Sequence, residues 1–353
     1  MNINENSKLK FEIAAREKIS KRSYQKLKGL YKKSPPFIKH IYRYIFGKYE
    51  YHKYHAFKKA NRLLRCEWGI YCSASIGDTF ATHCLLNSFI EHHRISKVKL
   101  LVKKNHRHIS TYFPSHLVEV IIDENGSMAS LSRFENAWGA GKWFNAHFPN
   151  CPFDIATFFG YKALTFMDFW KARFRLPFDT AISQPIPIPI NELDDAEQFL
   201  RRNSLRVGKT VLLAPEAQTL KMLPWSWWKQ LATSLGNMGW GVLWNSPVPG
   251  LASDSRLIPL RLLRGIAYLA GSVVSLRSGL CDLLAFDPIK LIVLYPREKI
   301  DWYSGNPANM QDAKNWFLGD SLKTKYGTSA LELQVDDILD TQQLDAICEY
   351  ISR

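Results

Sequence analysis

Between Glu67 and Pro296, short apolar runs alternate with amphipathic stretches in two successive series, and this alternation constrains the chain more than any other feature. "EWGIYC", "KVKLLVKK" and "VEVIID" read as strands of the first series. "KTVLLA", "WGVLW", "SVVSLR" and "IKLIVLYP" read as strands of the second. The stretches between them carry apolar residues at helical spacing, as at Phe80, Cys84, Leu85 and Phe89. Strands separated by helices at this interval build βαβ units and hence parallel sheets.

The two series are separated by "SQPIPIPINE", whose alternating prolines can neither continue a helix nor sit in a central strand. That segment is the expected linker. The sequence therefore predicts an α/β chain: a basic, helical extension over 1–65, one domain over 66–185, a second over 186–330, and a C-terminal helix over 331–353. Between Gly126 and Thr180 the pattern is weak, with "FDIATFFG" as the one strand-like run. No run approaches the roughly 18 apolar residues of a spanning helix, and the Asn-, Glu- and Lys-rich start has no apolar leader core. A cytoplasmic protein, peripheral at the inner face of the membrane, is the expectation.

Charge is concentrated at one end. Residues 1–65 hold 18 Lys and Arg against 4 Glu, a surplus of 14 that leaves about +1 for all the rest. Aromatic residues are interleaved with the cations, as in "KSPPFIKHIYRYIFGKYEYHKYHAFKKANR". Such an arm can lie on an anionic membrane surface, track nucleic acid, or meet a protein partner. The nearly neutral body, which lacks any nucleic-acid-binding motif, weighs against nucleic acid. The six cysteines form neither C-x-x-C pairs nor a disulfide framework, and neither Cys nor His falls at zinc spacing. Free thiols and no bound metal are expected.

Ligands of open α/β sheets bind beyond the carboxyl ends of the strands. In the first domain that edge carries "SASIGD", where Ser75 and Gly77 permit close backbone approach and Asp78 is the carboxylate at the helix start. Asp78 suits either a helix cap or a general base. In the second domain the strand ends deliver Lys221 from "APEAQTLKMLPWSWW", Asn245 from "WNSP", and Arg277, Ser278 and Gly279 from "VSLRSGLCDLLAF". An arginine followed by small residues at a strand-to-helix turn is what an anion site requires. No G-x-x-x-x-G-K-[ST] or G-x-G-x-x-G falls at such a turn.

Three blocks, "SASIGDTFATHCLLNSFIEH", "LLAPEAQTLKMLPWSWWKQLATSL" and "VVSLRSGLCDLLAF", resemble the bacterial heptosyltransferase family, glycosyltransferase family 9. The resemblance implies a GT-B-like fold, two Rossmann-like domains facing a cleft. It implies a nucleotide-diphosphate sugar donor on the C-terminal domain and a glycan or glycolipid acceptor, of lipopolysaccharide or capsule type, on the N-terminal domain. It implies Asp78 as base, and Lys221 with the turn at Ser278 and Gly279 on the donor phosphates. Inversion at the anomeric carbon, with no metal and no cofactor besides the donor, is implied as well. Two positions depart from the family: its histidine falls at Asp282, and Arg277 stands where a small or acidic residue is usual. On this reading Arg277 forks onto phosphate and Asp282 faces sugar or ribose hydroxyls. A non-catalytic sugar-nucleotide-binding relative is the alternative that the Asp282 departure keeps open.

Overall fold

A computed structural model describes residues 36–72, 75–135, 138–146, 165–217, 220–247, 258–297 and 320–353, with 36–45 described by backbone alone. The run "FDIATFFG" lies outside the described residues. The chain divides into two compact units, one of residues 1–62 with 125–136 and one of residues 63–124 with 137–353.

In the first unit, helix α1 (Pro36–Ala60) packs against a short helix, α3 (Ser127–Phe134). The expected extension thus has a partner taken from within the first α/β domain. Polar side chains make much of the contact: Lys58 Nζ reaches Glu135 Oε1 at 2.6 Å, Tyr54 OH donates to the same oxygen at 2.8 Å, and Ser130 donates to Glu50. The rings of Tyr51 and Tyr54 lie 5.8 and 5.1 Å from that of Phe134. Lys48, Tyr51, His52, His55 and Lys59 recur every three or four residues along α1 and are all exposed. They therefore form one solvent-facing stripe.

The second unit holds two wholly parallel sheets. The first sheet runs in the order β3-β2-β1-β4, with β1 at Glu67–Tyr71, β2 at Lys97–Lys103, β3 at Val118–Asp123 and β4 at Trp143–Asn145. The second is β6-β5-β7-β8-β9, with β5 at Thr210–Ala214, β6 at Gly241–Trp244, β7 at Gly271–Leu276, β8 at Lys290–Pro296 and β9 at Leu331–Val335. Strand order reverses between β1 and β4 in one sheet and between β5 and β7 in the other. These are the two switch points at which such sheets place ligands.

Among the described residues, seven helices cover the sheets and their connections: α2 (Ile76–His92), α4 (Phe166–Arg173), α5 (Ile190–Arg202), α6 (Trp225–Asn237), α7 (Leu260–Ala270), α8 (Gly279–Leu284) and α10 (Thr341–Ser352). An eighth, α9 (Leu322–Tyr326), is a single short turn, and residues Lys104–Tyr112 wind as a 3-10 helix after β2. The stripe read from the sequence is the core-facing side of α2: Phe80, Cys84, Leu85 and Phe89 are each fully buried. Helix α7 stops at Gly271, whose φ of +83° is a left-handed conformation that glycine adopts without strain.

One expected element is different. Residues 331–353 were expected to form a helix, but they open with β9, pairing with β8 from Leu331 to Val335, and only Thr341–Ser352 is helical. The reason is visible in "LELQV", where Leu331, Leu333 and Val335 alternate with polar residues at the period of a strand.

Candidate functional site

The two switch points are brought together by their turns. Beyond β1, Ser75 caps α2 in a reciprocal box: the Asp78 amide donates to Ser75 Oγ, while the Ser75 amide and hydroxyl donate to Asp78 Oδ2 at 2.9 and 2.8 Å. Asp78 is half-buried at this point. Beyond β7, the chain passes Arg277 and Ser278 and enters α8 at Gly279. Helices α2 and α8 then meet through their first residues.

The approach is as close as backbone allows. A Cβ on Gly279 would stand 2.5 Å from the Gly77 nitrogen and 3.0 Å from Ile76 Cβ. A Cβ on Gly77 would stand 2.5 Å from Asp282 Oδ2 and 3.2 Å from Gly279 Cα. The two turns are therefore in contact. Both positions must be glycine for the contact to exist.

Behind the contact lies a buried charge quartet. Arg277 and Asp282 each expose about 3% of their side chains and Lys325 5%, with Asp320 at 11%. Arg277 Nη1 and Nη2 fork onto Asp282 Oδ2 and Oδ1 at 2.7 and 3.0 Å. Nη2 also reaches Asp320 Oδ1 at 2.7 Å, Nη1 the Ser278 carbonyl at 2.7 Å, and Nε the Asp320 carbonyl at 3.0 Å. Lys325 Nζ and Tyr326 OH both donate to Asp282 Oδ1, at 2.7 and 2.8 Å.

A guanidinium has five N–H donors, and these five bonds use them all. Arg277 thus has no donor left for a phosphate in this arrangement, and Asp282, 2% exposed, faces cations and a phenol instead of a sugar. The physical reason is simple: a buried carboxylate and a buried guanidinium five residues apart satisfy each other. Burial alone would raise the Asp282 carboxyl, but Arg277 and Lys325 outweigh it and hold the group well below the ordinary carboxylate range. At Asp320 burial wins, and its carboxyl is raised despite the same two cations. Two anions and two cations balance, so the quartet is neutral as a whole.

The remaining sequence candidates lie elsewhere on the carboxyl edge of the second sheet. Lys221 Nζ pairs with Asp337 Oδ2 at 2.8 Å near the surface. Asn245 accepts the Ile258 amide at 3.0 Å through Oδ1, and the neighbouring Ser246 hydroxyl is bonded to Glu216. Gly77, between Ser75 and Asp78, is thus brought against Gly279 and Asp282, whereas Lys221 meets Asp337 and Asn245 meets Ile258.

Asp320, Lys325 and Tyr326 were missed in the sequence. A carboxylate inside the apolar run "GLCDLLAF" demands a buried cation, and that demand was legible. The partners arriving some 40 residues later, just before and on α9, carried no local signal. His83 and Ser110 were missed as well. His83 Nδ1 lies 2.8 Å from the Thr79 carbonyl and Nε2 3.0 Å from Ser110 Oγ. Burial pushes the His83 imidazole down to about 4, only partly offset by the Thr79 carbonyl, so the ring is neutral at physiological pH.

No family model matches the chain, and no curated protein matches it. Solved structures do. A glycosyl transferase family 9 structure from Veillonella parvula is 14% identical, covering 77% of this chain and 88% of that one, with a TM-score of 0.51. The E. coli ADP-heptose lps heptosyltransferase II is 12% identical, covering 81% of this chain and 98% of that one, with a TM-score of 0.54. The chain has the glycosyltransferase family 9 fold. At these identities the likeness is one of fold, and it agrees with the architecture that the three sequence blocks implied.

Proposed function

We propose that this chain is a glycosyltransferase that moves a sugar from a nucleotide-diphosphate donor to a lipid-linked or surface-glycan acceptor of lipopolysaccharide or capsule type. One observation carries the reading: in a glycosyltransferase fold, the two switch points meet with Asp78 at their junction. Ser75 orients the Asp78 carboxylate through two hydrogen bonds, an arrangement suited to holding a base in one rotamer. The acceptor hydroxyl attacks the anomeric carbon from the side opposite the diphosphate, and Asp78 takes its proton. The new C–O bond forms as the anomeric bond to the phosphate oxygen breaks. The electron pair leaves with the diphosphate and configuration inverts.

Lys221 supplies positive charge to that leaving group, so the step runs without a metal. Ser278 and Gly279 reach the diphosphate once α2 and α8 part, since Gly77 stands against Gly279. Arg277 acts from behind, as the residue that fixes Asp282 and the turn. The basic extension brings the enzyme to its acceptor at the inner face of an anionic membrane; among the described residues no helix is long and apolar enough to cross one.

The test is a thermal-shift series with ADP, UDP, GDP and CDP, since a ligand of the native state raises its stability by about 2.7 kcal/mol at 100 times its Kd. One nucleotide is expected to raise the midpoint, and Asp78→Asn should keep that shift while losing turnover of the matching sugar donor. If none of the four shifts the midpoint at millimolar concentration, the proposal fails. The spent donors of Arg277 favour one second reading, a relative that binds sugar nucleotides without turnover. Its mark is a shift with no transfer by the native sequence.

A further inference from the structure

Beside α2, an open pocket of about 470 Å³ is lined by His83, Ser110, Phe113, His116, Val118 and Val120 among others, a volume ordinary for a small-ligand site. None of its lining residues is a carboxylate, lysine or arginine. His83, five residues beyond Asp78, lies about 7.5 Å further along the helix. The pocket is therefore a neighbour of the proposed transfer site and shares no residue with it.

The hydrogen bonds define what can bind. A carbonyl only accepts, so the Thr79 oxygen requires a proton on His83 Nδ1, which leaves Nε2 as acceptor. Ser110 must then donate its single proton to Nε2. Its oxygen meets the pocket with lone pairs alone, so a ligand that bonds to it has to bring a hydroxyl or amine hydrogen. On the apolar side, Phe113 is held by the rings of Phe80 and His83 at 5.3 and 5.5 Å, next to Val118 and the exposed Val120 of β3. A neutral ligand with O–H donors on its rim and C–H groups on its face matches both sides.

We propose that this pocket binds a neutral pyranose ring, with a ring hydroxyl donating to Ser110 Oγ and the C–H face against Phe113 and the two valines. That the ring belongs to the acceptor glycan rests on the transferase reading; the chemistry of the pocket does not.

The experiment is saturation-transfer difference NMR on the full chain, with methyl β-D-glucopyranoside and methyl β-D-galactopyranoside as probes at millimolar concentration. Transfer to ring protons of at least one glycoside is expected. Val120→Trp, a change at an exposed residue, should abolish it with an unchanged unfolding midpoint, and Ser110→Ala should weaken binding about fivefold to tenfold. Absence of transfer from both glycosides, or transfer that survives Val120→Trp, overturns the proposal. The nucleoside diphosphate series run on the same Val120→Trp protein separates the two readings. A retained nucleotide shift with lost glycoside binding supports both, and glycoside binding by a chain that no nucleotide stabilises supports the pocket while sinking the transferase.

Discussion

Replacing Gly279 by alanine adds one methyl group where helices α2 and α8 meet. That carbon would stand 2.5 Å from the Gly77 nitrogen, about 1 Å inside ordinary van der Waals separation. The obstructing atom is backbone in α2, so no side-chain rotation relieves it. Helices α2 and α8 must separate, or α8 must tilt and disturb the Arg277–Asp282 fork beneath it. Overpacking of this kind costs about 1–3 kcal/mol, while alanine in place of glycine returns up to about 1 kcal/mol of helix propensity. A net loss of about 1–2 kcal/mol is expected. Gly236 is the control, because it lies in α6 with nothing within 4 Å of its would-be Cβ. Gly236→Ala should stabilise by about 0.4–1 kcal/mol. Urea unfolding followed by far-UV circular dichroism and by tryptophan fluorescence reads both, with the probes fitted separately because two α/β layers need not unfold together. If Gly279→Ala matches or exceeds the parent in stability while Gly236→Ala behaves as stated, the two turns do not touch and the reasoning is refuted.

Further outcomes follow from the buried groups and from Lys221. Asp282→Asn keeps the shape but leaves Arg277 and Lys325 facing Asp320 alone, which should cost about 3–5 kcal/mol by urea titration at pH 7. Arg277→Met combined with Asp282→Leu, which keeps Lys325 and Asp320 paired, should recover part of that loss. The folded Asp282 carboxyl lies below its unfolded value, so its contribution is complete above about pH 4 and is lost as pH falls further. The parent's stability should therefore drop more steeply than the Asp282→Asn protein's between pH 4 and pH 2. For His83 the window is higher: the unfolded ring binds a proton below about 6.5 and the folded one only below about 4, so up to about 3 kcal/mol is lost as pH falls across that interval. His83→Asn should flatten this part of the profile, and an unchanged slope would contradict the burial of the ring. Lys221→Met should change stability by no more than about 1 kcal/mol, as for any exposed pair, yet reduce the shift caused by the stabilising nucleotide; an undiminished shift removes Lys221 from the donor site.

Much of the fold was legible because the signals were local. The apolar runs at Glu67, Lys97, Thr210 and Gly271 are strands, and the helical stripe on α2 is the face it buries. What escaped was set by distant partners. β4 is only three residues long, too short for a period to register, and α3 was hidden in a stretch whose pairing with α1 depends on Lys58 meeting Glu135 across 77 positions. The same holds at the site. Gly77, Asp78 and Gly279 were singled out by their place at strand ends, and Gly77 and Gly279 lie against each other. The state of Arg277 could not be read, because its last acceptors come from Asp320, 43 residues away, and its competitor for Asp282 from Lys325.

The neutrality of the buried quartet has a practical consequence for ionic strength. Mobile ions screen exposed charges beyond about 8 Å at physiological salt and beyond about 3 Å at 1 M, but they do not enter a closed cluster of paired ions. Almost all of this chain's formal charge of +15 sits in the first 65 residues. Raising salt should therefore release the protein from an anionic vesicle while leaving its unfolding midpoint nearly untouched. Sodium chloride can thus act as a selective reagent, separating attachment from folding without a single mutation.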